Sequence, residues 1–394
     1  MIMELKTTLF KRGGKDYLLP FALVSTLFFL WGFAHSILEV LNPHFQELFT
    51  IGKTQAAFVQ AAVYGGYFLM ALPAGFIIRR WGYKAGVITG LMLYGIGALL
   101  FIPGAEINSF AFFVFSLFVI GCGLTCLETS ANPYVTVLGS SEGAERRINM
   151  AQSLNGFGWI LGPLVGGASF FSGGDIATPY TIVGIAVLAV ALLFLRQDLP
   201  EVELPHEEEP AGNGRLWNIS FVAGLIALFL YVAAQTGVNS NFINYAVEYM
   251  GISAGEASRL LGYGGMGLFV AGRVLGSWIM KYRKATRLLV DCSMLAVCAT
   301  AIVIAFPGKV GVAGLLVVLL SESLMYPTIF SLALRSSRGN TKQASSLLVM
   351  TIAGGAAAPL LMGLISDSTG LVCLSFLVPI MCYVYITLYS ISRK

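Results

Sequence analysis

The sequence predicts an all-α membrane protein of twelve transmembrane helices in two six-helix halves, and three observations carry that prediction. The chain has 394 residues, 57% of them hydrophobic and only 11% charged, whereas soluble domains average about half apolar and a quarter charged. Apolar runs long enough to cross a hydrocarbon core of about 30 Å recur from end to end. One polar interruption near the middle, RQDLPEVELPHEEEPAGNGRLW, carries three prolines and six acidic residues and splits those runs six and six.

In chain order the runs lie at 18–41, 55–78, 85–103, 109–137, 148–171, 179–196, 216–240, 256–280, 286–306, 311–334, 343–365 and 371–391. The tail over 1–17 is basic and lacks a small-residue cleavage site behind a short apolar core, so it reads as a cytoplasmic tail rather than a signal peptide. The halves then span 18–196 and 216–391, with 197–215 as a cytoplasmic linker. With the tail inside, the inner loops hold Arg79, Arg80 and Lys84, then Arg146 and Arg147, then Arg196 and Arg215. The second half repeats this with Lys281, Arg283, Lys284 and Arg287, then Arg335, Arg338 and Lys342. The outer side has little beyond Lys53, Arg259 and Lys309. Basic residues concentrate on the cytoplasmic side of membrane proteins, which puts both termini in the cytoplasm. The net charge of +4 therefore reports topology, and no basic soluble face is available for nucleic acid.

Traces of an internal repeat support the division. GFIIRRWGYKAG (75–86) follows the second run, GSWIMKYRKAT (276–286) follows the eighth, and GLISDSTG (363–370) is a weaker echo after the eleventh. Transporters built from two repeated halves bind their substrate where the halves meet. Other function classes lack support. The loops are too short to house a soluble domain, and neither a GxxxxGK[ST] loop nor an HExxH motif is present. All six cysteines fall inside apolar runs without metal-ligand spacing, as small packing residues. No nucleophile and base pair suggests an enzyme, and no cofactor is expected.

A charge at membrane depth costs roughly 2.5 to 3.5 kcal/mol by insertion scales, so polar residues inside the runs carry the functional information. The first half supplies His35 and Glu39, Gln60 and Tyr64, Glu128 and Asn132, and Gln152 and Asn155. Each pair is spaced three or four residues apart and so projects from one helix face. Carboxylates, amides and a phenol suit a ring of hydroxyls, whereas a drug cavity would be mainly aromatic and apolar. Amides that merely join helices are the plainer alternative. Glu128, in CLETSANPYVTVLG, reads as a carboxylate that loads a proton at one face and releases it at the other, against the alternative of a headgroup-level acid. Glu39 has the same logic, with NPHFQ marking the outer end of the first helix and His35 able to pair with it as proton partner or as structure. In the second half Gln235, Asn239 and Asn241 lie where the seventh helix runs outward. Glu322 sits mid-span in SESLMYPTIF, open to a substrate contact or to Arg273, itself a candidate for snorkelling. Asp291 reads as structural.

Four runs then converge on a known family: LFFLWGFAHSILEVLNPHFQ (27–46), YGGYFLMALPAGFIIRRWGYKAGVITGL (64–91), GLTCLETSANPYVTVLG (123–139) and NMAQSLNGFG (149–158). They resemble the fucose:proton symporter family of the major facilitator superfamily, a likeness continued by YVAAQTGVNSNFINYAVE (231–248) and YPTIFSLALR (326–335). The resemblance implies alternating access, with a hexose or deoxyhexose imported together with a proton as the coupling ion. It makes Glu39 the transport acid of the first helix, with Glu where the fucose carriers have Asp. Glu128 becomes the proton-handling glutamate, and Gln152 and Asn155 line the sugar cavity. Binding contacts are expected from His35, Glu39, Gln60, Tyr64, Asn132, Gln152, Asn155, Gln235, Asn239 and Glu322. The expected partners are sugar, protons and the lipid bilayer of a bacterial inner membrane, with the monomer as working unit. AHSILE replaces the family's asparagines, Glu322 replaces an uncharged residue, and Arg79 stands where the superfamily loop has Asp, so fucose itself does not follow. A drug or metabolite antiporter and a nontransporting sugar sensor are the rival readings.

Overall fold

A computed structural model describes residues 10–12, 15–139, 144–173, 175–197, 217–280, 282–337 and 341–393. Beyond Gln197, the linker expected over 197–215 lies outside the described residues, as does most of the tail expected over 1–17. A two-residue antiparallel pairing, Lys11–Arg12 with Lys15–Asp16, precedes an otherwise helical chain.

Helix α1 is Leu18–Phe49. It runs eight residues past the end expected at 41, because Pro43 is absorbed inside the helix and NPHFQELF continues it. Helices α2 (58–81) and α3 (83–99) form one continuous stretch that turns at Gly82, whose φ of 81° is open to glycine at no steric cost. Then come α4 (Phe110–Val137), α5 (Ala144–Phe170) and α6 (Ala177–Arg196). The second half opens with α7 (Ile219–Met250). Helix α8 (254–279) contains a π-helical stretch, Leu260–Met266, of sequence LLGYGGM. Helix α9 is Ala285–Ala305. Helix α10 (309–335) is broken between Glu322 and Met325, α11 (341–369) passes through a 3-10 turn at Thr351–Ala353, and α12 (372–391) closes the chain.

Among the described residues, nine helices are long and apolar enough to cross a membrane. The count falls short of twelve for physical reasons. The second and third runs merge through Gly82, and α5 and α8, both rich in glycine, fall outside the count.

At the end of the bundle remote from the chain termini, the halves are fastened together. The short helix Lys53–Ala56 that leads into α2 has no side-chain cap from its own neighbour Gly52. Asp367 at the end of α11 supplies one from the other half, accepting from the Lys53 amide at 3.0 Å, the Thr54 amide at 2.8 Å and Thr54 Oγ1 at 2.7 Å. A carboxylate at a helix N-terminus meets unsatisfied amides and the positive end of the helix dipole. Lys53 Nζ adds an ion pair to Glu248 of α7 at 3.2 Å. At the opposite end, Lys84 Nζ donates to the carbonyl of Gln197 at 2.8 Å within the first half. Asn218 and Arg393 likewise bind carbonyls of the second half.

Candidate functional site

The site grows from α1, α2 and α4 of the first half. Glu39 is buried, 3% exposed, on the inward face of α1. Gln60 Nε2 donates to its Oε2 at 3.4 Å, and Asn42 Nδ2, one turn along α1, approaches Gln60 Oε1 at 3.5 Å. The i and i+4 spacing seen in the sequence places Tyr64 one turn from Gln60, and Tyr64 is where the halves touch. Its hydroxyl accepts from Thr236 Oγ1 of α7 at 3.1 Å. A Cβ on Gly355 of α11 would lie 2.5 Å from the Tyr64 ring, so that glycine gives the phenol its seat.

His35 does not pair with Glu39. Its Nε2 lies 3.0 Å from the Tyr67 hydroxyl, and its ring stacks on Trp159 of α5 with centroids 6.0 Å apart and planes 15° apart. Tyr67, 4% exposed, also accepts from Trp31 Nε1 at 2.9 Å. Glu128 is half-buried because it lines a small cavity between α1 and α4, walled by Leu27, Phe28, Trp31 and Asn132. Tyr326 from α10 brings the second half within electrostatic reach of the same carboxylate.

The remaining candidates divide. Asn132 faces the Glu128 cavity but folds its amide back onto the Glu128 carbonyl at 3.2 Å. Gln152 is half-buried on α5. Asn155 is committed to helix packing, its Nδ2 donating to the Phe28 carbonyl at 3.0 Å. On α7, Gln235 is half-buried, and Asn239 is 2% exposed with its Oδ1 unpaired among the described residues. Because α7 continues to Met250, these residues lie within the helix rather than at its exit. Asn241 is spent on its own helix, bonding the Gly237 carbonyl at 3.0 Å.

Glu322 stands apart from this cluster. It is fully buried at the break in α10, where Pro327 has no amide to offer the Ser323 carbonyl. Arg273 Nε approaches that carbonyl at 3.5 Å, and Tyr231 of α7 donates to the Glu322 carbonyl at 3.0 Å. The Glu322 side chain accepts from the Tyr383 hydroxyl of α12, while its other oxygen is unpaired among the described residues. Asp291 pairs with Arg283 at 3.4 Å on the surface.

Trp31, Tyr67, Thr236 and Tyr326 are the site members that sequence reasoning passed over. Trp31 and Tyr67 could have been found by extending the polar stripes one turn, since Trp31 precedes His35 by four residues and Tyr67 follows Tyr64 by three.

Comparison with known proteins agrees with this architecture. Residues 24–359 match the Major Facilitator Superfamily. The L-fucose-proton symporter of Escherichia coli is 36% identical over 97% of this chain and 94% of its own length. A glucose/galactose transporter of Brucella abortus is 35% identical over 96% of this chain and 94% of its own length. The crystal structure of the transporter FucP in the outward conformation, at 36% identity, superposes with a TM-score of 0.70 over 96% of this chain and 99% of that one. The helical architecture is thus one this chain shares with those carriers: it belongs to the Major Facilitator Superfamily of transport proteins.

Proposed function

We propose that this chain is a proton-coupled secondary active importer of a hexose or deoxyhexose, working by alternating access in a bacterial inner membrane with both termini in the cytoplasm. One observation carries the reading. Buried Glu39 is bonded to Gln60, whose neighbour Tyr64 contacts the second half through Thr236, and half-buried Glu128 lines a cavity beside Trp31, which bonds Tyr67 and through it His35. In this reading Glu128 is the proton site, while Glu39, Gln60, Tyr64 and Asn239 supply hydrogen bonds to sugar hydroxyls. Proton and sugar must each favour the same closed state, because a ligand shifts conformations only through differential affinity. The latch at Asp367 and the contact of Tyr64 with Gly355 close one route to the site, so substrate would exchange from the other end. The working unit is the monomer. The relatives named for L-fucose and for glucose or galactose define the substrate class and do not choose within it.

The test is uptake of labelled glucose, galactose, mannose, fucose and N-acetylglucosamine into proteoliposomes, with and without an inward proton gradient. Gradient-driven accumulation of one sugar is expected. Equal entry of every sugar with and without the gradient, from folded protein, would refute symport.

A further inference from the structure

A threonine inside a helix commonly returns its hydroxyl proton to the carbonyl one turn back. This chain does so at Thr125, Thr129, Thr300 and Thr328, each bonded to the carbonyl four residues earlier at 2.7 or 2.8 Å. Thr236 of α7 departs from that habit. Its Oγ1 reaches across to the other half and donates to the Tyr64 hydroxyl at 3.1 Å, the sole hydrogen-bond partner of either hydroxyl among the described residues. Both residues are buried, where an unused hydroxyl proton carries its full desolvation cost. The pair has two protons and shares one bond. Thr236 spends its proton on the phenol oxygen, since no carbonyl of its own helix takes it. The Tyr64 proton is left over, together with one lone pair. Tyr64 stands one turn from Gln60, which is bonded to Glu39, so these leftover groups lie beside the cluster read above as the sugar contact.

The bond belongs to one state of the protein. Tyr64 is on α2 of the first half, whereas Thr236 and Gly355, against which its ring is seated, are on α7 and α11 of the second. Rocking open at the end fastened by Asp367 parts both contacts together. Thr236 is then free to turn its hydroxyl to the Val232 carbonyl of its own helix, as the other helical threonines do. We propose that Thr236 is a positioning residue for the sugar: on closure it fills one lone pair of Tyr64 and so directs and strengthens the phenolic O–H as a donor to a sugar oxygen.

Hydrogen bonds in a chain polarise one another, by about 10 to 30% per bond. A phenol that accepts from Thr236 therefore donates more strongly to whatever takes its proton. The coupling is reciprocal, so a sugar oxygen that accepts from Tyr64 strengthens the Thr236 bond and favours the closed state. That is a differential interaction between open and closed forms, which a ligand must have if it is to shift them. A neutral polyol suits the two vacant positions, because each of its hydroxyls can accept the phenolic proton or donate to the remaining lone pair. The inference rests on the reading of the first-half cluster as the sugar site, and it names the contact through which occupancy reaches the second half.

Spin labels replacing the exposed Glu47 and Ser368, on the full-length protein in proteoliposomes, report the ratio of closed to open forms at the fastened end. Without sugar, Thr236→Val keeps the shape of the side chain and removes its hydroxyl. It should lower that ratio about fivefold, the weight of one hydrogen bond. Tyr64→Phe should lower it by the same factor, the double variant no further, and Thr236→Ser should restore it. Glucose, galactose, mannose, fucose and N-acetylglucosamine are then added in turn at saturation. The sugar that binds should raise the ratio in the wild type and in Thr236→Ser, and raise it less in Thr236→Val. Effects of the two single substitutions that multiply in the double variant would overturn this inference alone, as would an equal sugar response in the wild type and Thr236→Val. A sugar-free cycle as expected, with no response of the wild type to any of the five sugars, would instead overturn the sugar reading of the site and this inference with it.

Discussion

The two halves bury carboxylates in different company. In the first half Glu39 bonds Gln60, whose neighbour Tyr64 one turn along meets Thr236 of the second half, and Glu128 lines a cavity beside Trp31 within electrostatic reach of Tyr326. In the second half Glu322 is more deeply buried, yet its contacts with Tyr231 and Tyr383 stay within that half and brace the broken α10. All three acids are expensive at membrane depth, so the expense alone does not identify a proton site. Position relative to the moving interface separates them. An acid between the halves can change its surroundings when they rock, whereas one held by three helices of a single half travels with them.

The largest expected effect tests the first-half side of this contrast. A gradient of one pH unit stores about 1.4 kcal/mol per proton and sustains about tenfold accumulation. Glu128→Gln should reduce accumulation of the labelled sugar to its equilibrium value, read as the inside-to-outside ratio in proteoliposomes. Retained uphill transport would erase the distinction between the halves.

Next comes the fastening between them. Hydrogen bonds to charged groups contribute about 1.5 to 3 kcal/mol each, and Asp367 accepts three, partly exposed, across the interface. Asp367→Ala should shift the population toward states open at that end. Spin labels at exposed positions replacing Glu47 and Ser368 should report a longer distance, and an unchanged distribution would show that packing alone holds the end closed.

The smallest effect belongs to Glu322. Tyr383→Phe leaves a buried carboxyl oxygen without its donor, at a cost of about 1 to 3 kcal/mol. The melting midpoint of purified protein should fall while gradient-driven uptake persists, and Glu322→Gln should behave likewise. Loss of accumulation at unchanged stability would place Glu322 beside Glu128 in function.

Much of the site was legible before any coordinates, through helical spacing. Gln60 and Tyr64 share a face because four residues make about one turn, and both meet the interior. The same reasoning misdirected His35, since its closeness to Glu39 along α1 hid the stronger partner, Tyr67, thirty-two residues on. Asn155 looked like a cavity residue and instead bonds the Phe28 carbonyl, because an amide cannot reveal from sequence which of its neighbours lacks a donor. Pro43 suggested a helix end, but its missing amide was tolerated and α1 ran on to Phe49. Tyr231, Tyr383 and Glu322 come from three separate helices, and no periodicity along one of them reports that meeting.

Composition, the twelve apolar runs and the central polar break by themselves determined a two-half membrane bundle, since the cost of exposing polar groups to lipid leaves few other solutions. The spacing of polar residues determined which helix faces turn inward. Tertiary structure alone decided that Gln60 meets Glu39, that Tyr64 reaches the second half at Thr236, that Tyr383 meets Glu322 within one half, and that Asp367 caps a helix of the opposite half. Those are contacts between residues tens to hundreds of positions apart, set by how helices cross and by which donors remain unpaired once their own backbones are satisfied.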